Sequence, residues 1–299
     1  MTDLAIPVEG AVLAATVSAP PKGPAPALVA LHGAERGVRD WYFYEHLHGA
    51  LPPAGVAVVT FDRRGEGEST GESSRGRFAQ QAEDALAVID HIGRLPEIAG
   101  ERIGLWGISQ GGWVAPLAAT LSPRVTFLTL VASCGVTPGE QMRWTAAFQV
   151  GREYGDGAAQ KAARLWSFAL DWMRGGDRAP LEAAHSAAKE ETWWPKACFP
   201  GELPDDGQRQ ELRDELDFDP APVFARVDVP TLLFYGDEDE WIPVDESIDV
   251  WRRVGRDLEI TVVSGTGHEP AVDEVVAPLY ERTLLDWLRR RVLPAEAGR

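Results

Sequence analysis

Short continuous apolar runs alternate along the chain with longer amphipathic stretches. Residues 27–31 (ALVAL) and 56–61 (VAVVTF) are apolar throughout or nearly so, the pattern of strands buried on both faces. Residues 102–106, 125–132, 231–235 and 259–263 repeat it. Residues 12–18 form an earlier strand, cut off by the proline-rich connector 19–27. Helical segments lie between the runs. In 78–95, Ala82, Leu86 and Ile89 fall at core-facing spacing. Segment 41–51 reads as a helix stopped by Pro52 and Pro53. Segments 109–121, 244–254 and 275–291 complete the set. Strand alternating with helix predicts an α/β fold: a mostly parallel central sheet with helices on both faces.

From 137 to 228 the alternation stops. Ala162, Leu165, Trp166, Ala169, Leu170 and Met173 recur at helical spacing, and Gly175-Gly176 closes that helix. A loop rich in Pro, Gly and acids follows at 199–207. Five of the eleven tryptophans, Trp144, Trp166, Trp172, Trp193 and Trp194, lie in this stretch. The pattern predicts a core made of 1–136 and 229–299, interrupted by a helical cap at 137–228. Packing within the chain accounts for most of these aromatic residues. No internal repeat or long low-complexity tract is present.

Composition narrows the classes of function. Of 299 residues, 44% are hydrophobic and 25% charged, values of an ordinary globular chain. The net charge of −17 repels phosphate backbones and anionic lipid, so neither nucleic acid nor a membrane surface is expected as a partner. No apolar run approaches the roughly 20 residues of a membrane span. The N-terminus MTDLAIPVEG carries Asp3 and no basic stretch, unlike a secretory signal. Cys134 and Cys198 are too few for a disulfide framework and read as reduced thiols, which points to the cytoplasm. No Cys/His cluster has metal-ligand spacing, and no dinucleotide or Walker fingerprint appears, so neither metal nor cofactor is expected. A monomer and a homodimer fit equally well.

The segment most suggestive of chemistry is 102–112. It contains G-x-S-x-G at Gly107, Ser109 and Gly111, between a predicted strand and a predicted helix. A serine on such a turn stands clear of the sheet beside a helix N-terminus, whose N–H groups favour negative charge. A serine hydroxyl needs a base, and the base needs an orienting acid. Of six histidines, His46, His48 and His91 fall in or at the ends of helices and His185 in the insertion. His268 lies in the loop after the last strand, where a base can reach the edge of an open sheet. The acid is expected from the loop after strand 231–235. There Asp237, Glu238, Asp239 and Glu240 stand in a row, and the residues alone leave the choice open.

Four motifs together resemble the α/β-hydrolase superfamily. More narrowly, they resemble a capped bacterial serine esterase of the dienelactone-hydrolase-like or acyl-transferase-like branch. Leu31-His32-Gly33-Ala34 resembles the H-G-x oxyanion turn. Residues 62–69, beginning Asp62-Arg63-Arg64-Gly65, resemble the D-x-R-G-x-G-x-S loop. Gly107-Ile108-Ser109-Gln110-Gly111 resembles the nucleophile elbow. Residues 236–243 with Gly267-His268 resemble the segments that supply acid and base. The resemblance implies a triad of Ser109, Asp239 and His268, with Asp237 as the second choice of acid. It also implies an oxyanion hole from the backbone N–H groups of Gln110 and Ala34. His32, Asp62 and Arg64 would brace loops rather than react. Glu35 and Arg36 depart from the usual glycine-rich turn. Related dehalogenases and epoxide hydrolases carry Asp at the nucleophile position, and dienelactone hydrolases Cys. Here it is Ser109. The implied activity is that of a carboxylesterase acting on small-molecule esters of short-to-medium acyl chain. A thioesterase, a lactonase and a C–C bond hydrolase share the same residues, and a non-catalytic ligand-binding protein is a further alternative.

Overall fold

The computed structural model describes residues 1–293, so the last six positions of the expected core lie outside the described residues. In chain order the strands are β1 (Thr2–Val8), β2 (Ala11–Ser18), β3 (Ala25–Leu31), β4 (Ala57–Phe61), β5 (Ile98–Ile108), β6 (Val125–Val131), β7 (Thr231–Gly236), β8 (Leu258–Val263), β9 (Ala271–Val272) and β10 (Val275–Val276). The helices are α1 (Tyr42–Ala50), α2 (Phe78–Ile92), α3 (Gly111–Leu121), α4 (Pro138–Tyr154), α5 (Asp156–Met173), α6 (Ala179–Lys189), α7 (Arg209–Leu216), α8 (Ala221–Phe224), α9 (Val244–Val254) and α10 (Pro278–Arg291). The chain divides into two compact units.

One unit comprises residues 1–133, 222–238 and 251 onward. It holds an eight-stranded sheet in the order β1-β2-β4-β3-β5-β6-β7-β8. The pairs from β4 to β8 are parallel, and only β1 and β2 run antiparallel to their neighbours. Helices cover both faces, which is why β3 and β4 are buried at every position. Trp106 on β5 is fully buried beside Phe43 of α1, and its Nε1 donates to Tyr280 Oη of α10 at 2.8 Å. An indole can sit this deep because its one donor is met.

Three elements differ from the sequence reading. β1 pairs along its whole length at the sheet edge, yet only Ile6 is buried, so no hydrophobic run announces it. β5 begins at Ile98 rather than 102, its first half being interrupted by Gly100 and Glu101. Residues 271–276 form a small hairpin turning at Asp273 and Glu274, both at positive φ, and the last helix starts only at Pro278.

The second unit comprises residues 134–221 and 239–250. It therefore draws in a segment from beyond the 137–228 stretch. Thr137 caps α4, its Oγ1 accepting from Glu140 N at 3.2 Å, with Pro138 in the first turn. Helices α4 to α6 enclose Val150, Leu165, Trp166, Trp172, Leu181 and Trp193. Gly139 lets α4 approach the Leu170 side chain and the Leu216 carbonyl, where a Cβ would not fit. The segment 239–250 is tied in through the Trp241 carbonyl, which accepts from Thr145 Oγ1 at 2.7 Å and Gln141 Nε2 at 3.1 Å.

Candidate active site

β5 ends at Ile108 and α3 begins at Gly111, so Ser109 occupies a two-residue turn. Its φ of +54° lies in the left-handed region, which costs a side-chain-bearing residue on the order of 1–3 kcal/mol. The surroundings impose that conformation. Ser109 N donates to Val131 O of β6 at 2.9 Å. A Cβ on Gly107 would overlap the Gly111 carbonyl. One on Gly111 would stand 3.0 Å from the carbonyl oxygens of Leu31 and His32, and one on Gly112 2.8 Å from Ser133 Cα. Glycine at all three positions is thus a packing requirement of the turn. Gln110 is buried, and its Oε1 accepts from Gln81 Nε2 of α2 at 3.0 Å. Gln81 also donates to the Ser74 carbonyl at 2.9 Å. Gln81 was not singled out in the sequence. A polar residue on the core-facing side of amphipathic α2 was the signal available.

The turn after β3 lies beside the serine: a Cβ on Gly33 would stand 3.6 Å from Ser109 Cβ. His32 braces this turn. Its Nε2–H donates to Phe61 O at 2.6 Å and its Nδ1 accepts from Tyr44 Oη at 2.8 Å. Burial, reinforced by the Arg63 charge, lowers its pKa to about 3, so the ring is neutral with both nitrogens used. Arg63, only 2% exposed, donates to the Gly33 carbonyl, to Ala34 O at 3.4 Å and to Glu66 Oε1 at 2.8 Å. Glu66 Oε2 in turn accepts from Gly37 N at 2.9 Å. Asp62 accepts from the N–H groups of Arg39 and Glu68 at 2.7 and 2.8 Å. Arg64 forms a two-pronged pair with Asp84 of α2 at 2.5 and 3.0 Å. These contacts make loop 62–69 a strap over the 33–37 turn. Ala34, Glu35 and Arg36 are exposed.

The loops after β7 and β8 run side by side. Glu238 N donates to Thr266 O at 3.0 Å, and Gly265 N donates to Asp237 Oδ1 at 2.7 Å. A Cβ on Gly236 would overlap the carbonyls of Thr266 and Gly267. His268 is half-buried in the second loop, and the Tyr42 hydroxyl donates to the adjacent Glu269. Because β5 and β8 are parallel members of one sheet, Ser109 and His268 both emerge at its C-terminal edge. The two candidate acids differ. Asp237 is exposed. Asp239, which follows β7 by three residues, is 5% exposed. Its Oδ1 accepts from Trp241 N at 2.8 Å and Ile242 N at 3.3 Å, which fixes the carboxylate within the second unit.

The Alpha/beta hydrolase family matches residues 28–279, most of the chain and all four motif regions. The chain belongs to the alpha/beta hydrolase family. Among curated relatives, an uncharacterized 31.7 kDa protein of Escherichia coli is 46% identical over 76 residues, 25% of this chain and 27% of that one. A 3-oxoadipate enol-lactonase of Acinetobacter baylyi is 26% identical over 183 residues, 61% of each chain. The match thus spans between a quarter and three-fifths of these relatives' length. The ferulic-acid-bound structure of Est1E from Butyrivibrio proteoclasticus superposes on this alpha/beta hydrolase with a TM-score of 0.64. It covers 97% of this chain and 99% of that one at 19% identity, a likeness of fold. Among the described residues, no helix is long and apolar enough to cross a membrane.

Proposed function

We propose that this alpha/beta hydrolase is a serine carboxylesterase acting on neutral esters of short-to-medium acyl chain. The observation that carries the reading is Ser109, a non-glycine residue at φ +54° on a turn whose three neighbouring glycines leave no room for a Cβ. In this reading Ser109 Oγ attacks the acyl carbonyl and His268 takes its proton. Asp239 orients His268 and stabilises its cation. The N–H groups of Gln110 and Ala34 hold the oxyanion, each contributing on the order of 3 kcal/mol in the transition state. His268 then protonates the departing alkoxide and activates the water that releases the acid. The reaction needs no metal or cofactor, and the small-molecule ester is the partner. The helical segment 137–228 serves as the cap, and the protein works in the cytoplasm as a monomer or homodimer. The net charge of −17 favours uncharged substrates over anionic ones.

The test is labelling by a fluorophosphonate, with mass mapping of the adduct and His268→Ala as control. An adduct on Ser109 that is lost in the control is the expected result. No adduct, or one on another residue, would overturn the reading and favour a non-catalytic binding protein. The 26% identity to an enol-lactonase favours lactones as the second substrate class. A panel of p-nitrophenyl butyrate, an enol-lactone, an acyl thioester and a β-diketone ranks the alternatives by kcat/KM.

A further inference from the structure

Helix α1 opens on an aromatic run, Trp41-Tyr42-Phe43-Tyr44, whose members reach different parts of the sheet unit. Phe43 packs on Trp106 of β5, their ring centroids 5.5 Å apart. Tyr44 Oη donates to His32 Nδ1 in the turn after β3 at 2.8 Å. Tyr42 points elsewhere. Its hydroxyl donates to the Glu269 carboxylate, and its ring is wedged edge-on against those of Trp41 and Phe43, with centroids 5.5 and 5.9 Å away.

Glu269 directly follows His268, and the loop that carries them is fixed at both ends. On one side, buried Thr266 donates from Oγ1 to Val263 O at 2.8 Å, and its carbonyl accepts from Glu238 N at 3.0 Å. On the other, the carbonyl of buried Pro270 accepts from Ala277 N at 2.8 Å. Residues 267–269 bridge these fixed points and are half-buried. Tyr42 fastens that bridge to α1 from 227 positions away in sequence. Burial, the hydrogen bond to Glu269 and the charges of Glu269 and Glu274 all raise the Tyr42 pKa, so the phenol keeps its proton and stays a donor. A bond of this kind, to an ionised acceptor, is among the stronger ones in a protein.

We propose that Tyr42 is a positioning residue for His268: through Glu269 it holds the loop so that the imidazole stands within reach of Ser109. This rests on the reading of His268 as the base. Tyr42 touches neither the base nor the nucleophile in this role. It sets where the base sits, and a misplacement of about 1 Å costs on the order of 10²-fold in rate.

The experiment is steady-state hydrolysis of p-nitrophenyl butyrate by the full chain and its variants. Tyr42→Phe removes the hydroxyl and keeps the ring. Its kcat should fall about 10- to 100-fold, with KM within about twofold of the parent. Glu269→Gln, whose amide oxygen still accepts, should stay within about threefold of the parent. Glu269→Ala should fall as far as Tyr42→Phe, and the two combined should fall no further. Each side of the contact tests it, so poor folding of one variant leaves the other decisive. His46 Nε2 lies 3.3 Å from Glu281 Oε2, one turn further along α1. His46→Gln breaks that contact and should leave kcat unchanged. With Ser109 of the parent labelled by fluorophosphonate, a parental kcat in both Tyr42→Phe and Glu269→Ala, a loss confined to KM, or an equal loss in His46→Gln would overturn the proposal alone. A parent not labelled at Ser109 would overturn the esterase reading and the positioning role with it, so the two failures are told apart.

Discussion

At Ser109 the backbone conformation and the side chain pull in opposite directions. A φ of +54° suits glycine and disfavours any residue with a Cβ. Ser109→Gly is therefore expected to raise the unfolding free energy by about 1 kcal/mol over Ser109→Ala, both variants losing the proposed esterase activity by at least about 10³-fold. Urea unfolding of the pair checks this, and equal stabilities would mean the turn holds no strain. The neighbouring glycines differ among themselves in a way that distance decides. A methyl on Gly112 would meet Ser133 Cα at 2.8 Å, whereas one on Gly33 would meet Ser109 Cβ at 3.6 Å, an ordinary contact. Gly112→Ala should cost about 1–3 kcal/mol and Gly33→Ala less than about 1 kcal/mol. Gly33→Ala should nonetheless slow the proposed esterase reaction, because the methyl would stand 3.6 Å from Ser109 Cβ.

Among the elements, loop 62–69 is a strap that holds the 33–37 turn through Arg63 and Glu66. Burial pulls the Arg63 pKa down while the Glu66 carboxylate opposes that shift, so the guanidinium is held by its partners. Arg63→Met removes the donor from two carbonyls and leaves Glu66 paired only with Arg75, whose Nη2 lies 3.3 Å from Glu66 Oε2. The expected loss is about 1–3 kcal/mol, and Arg63→Met combined with Glu66→Met should recover part of it. Thermal melts of the single and double variants decide the matter, and a double variant no better than the single would show that the carbonyls carry the whole effect. Whether a feature could be read from sequence depended on this same distinction between local and distant causes. The turn at 107–111 was legible because its glycines act on one another within five residues. The central strands were legible because burial on both faces makes them apolar at most positions. β1 was not, since an edge strand with one buried side chain leaves no hydrophobic trace. Arg63 and Gln81 were not, because their partners lie about thirty residues away in sequence and meet only when the sheet has formed.

For the molecule as a whole, two pH effects of opposite sign compete. The net charge of −17 makes the folded state repel itself at neutral pH, and acidification toward the pI of about 4.8 relieves this. Buried histidines act the other way. Burial lowers the pKa of His32 to about 3 and that of His48 to about 4. Both rings are hydrogen-bonded inside the sheet unit, His48 to Ser18 Oγ at 2.8 Å and Thr60 Oγ1 at 3.0 Å. In the unfolded chain each binds a proton near pH 6.5. Between that value and the folded pKa the unfolded state holds more protons, so stability falls as pH falls. From pH 7.5 to 5, His32 and His48 each account for about 2 kcal/mol of lost stability. Salt separates the two effects. At about 0.5 M NaCl the screening length is only about 4 Å, which suppresses surface repulsion and leaves the buried rings untouched. Urea unfolding in that salt should therefore show the full decline between pH 7.5 and 5, and a shallower one at low ionic strength. Stability that stays level or rises across this range at high salt would mean that His32 is not held neutral, and the bracing of the 32–37 turn by an uncharged imidazole would fall with it.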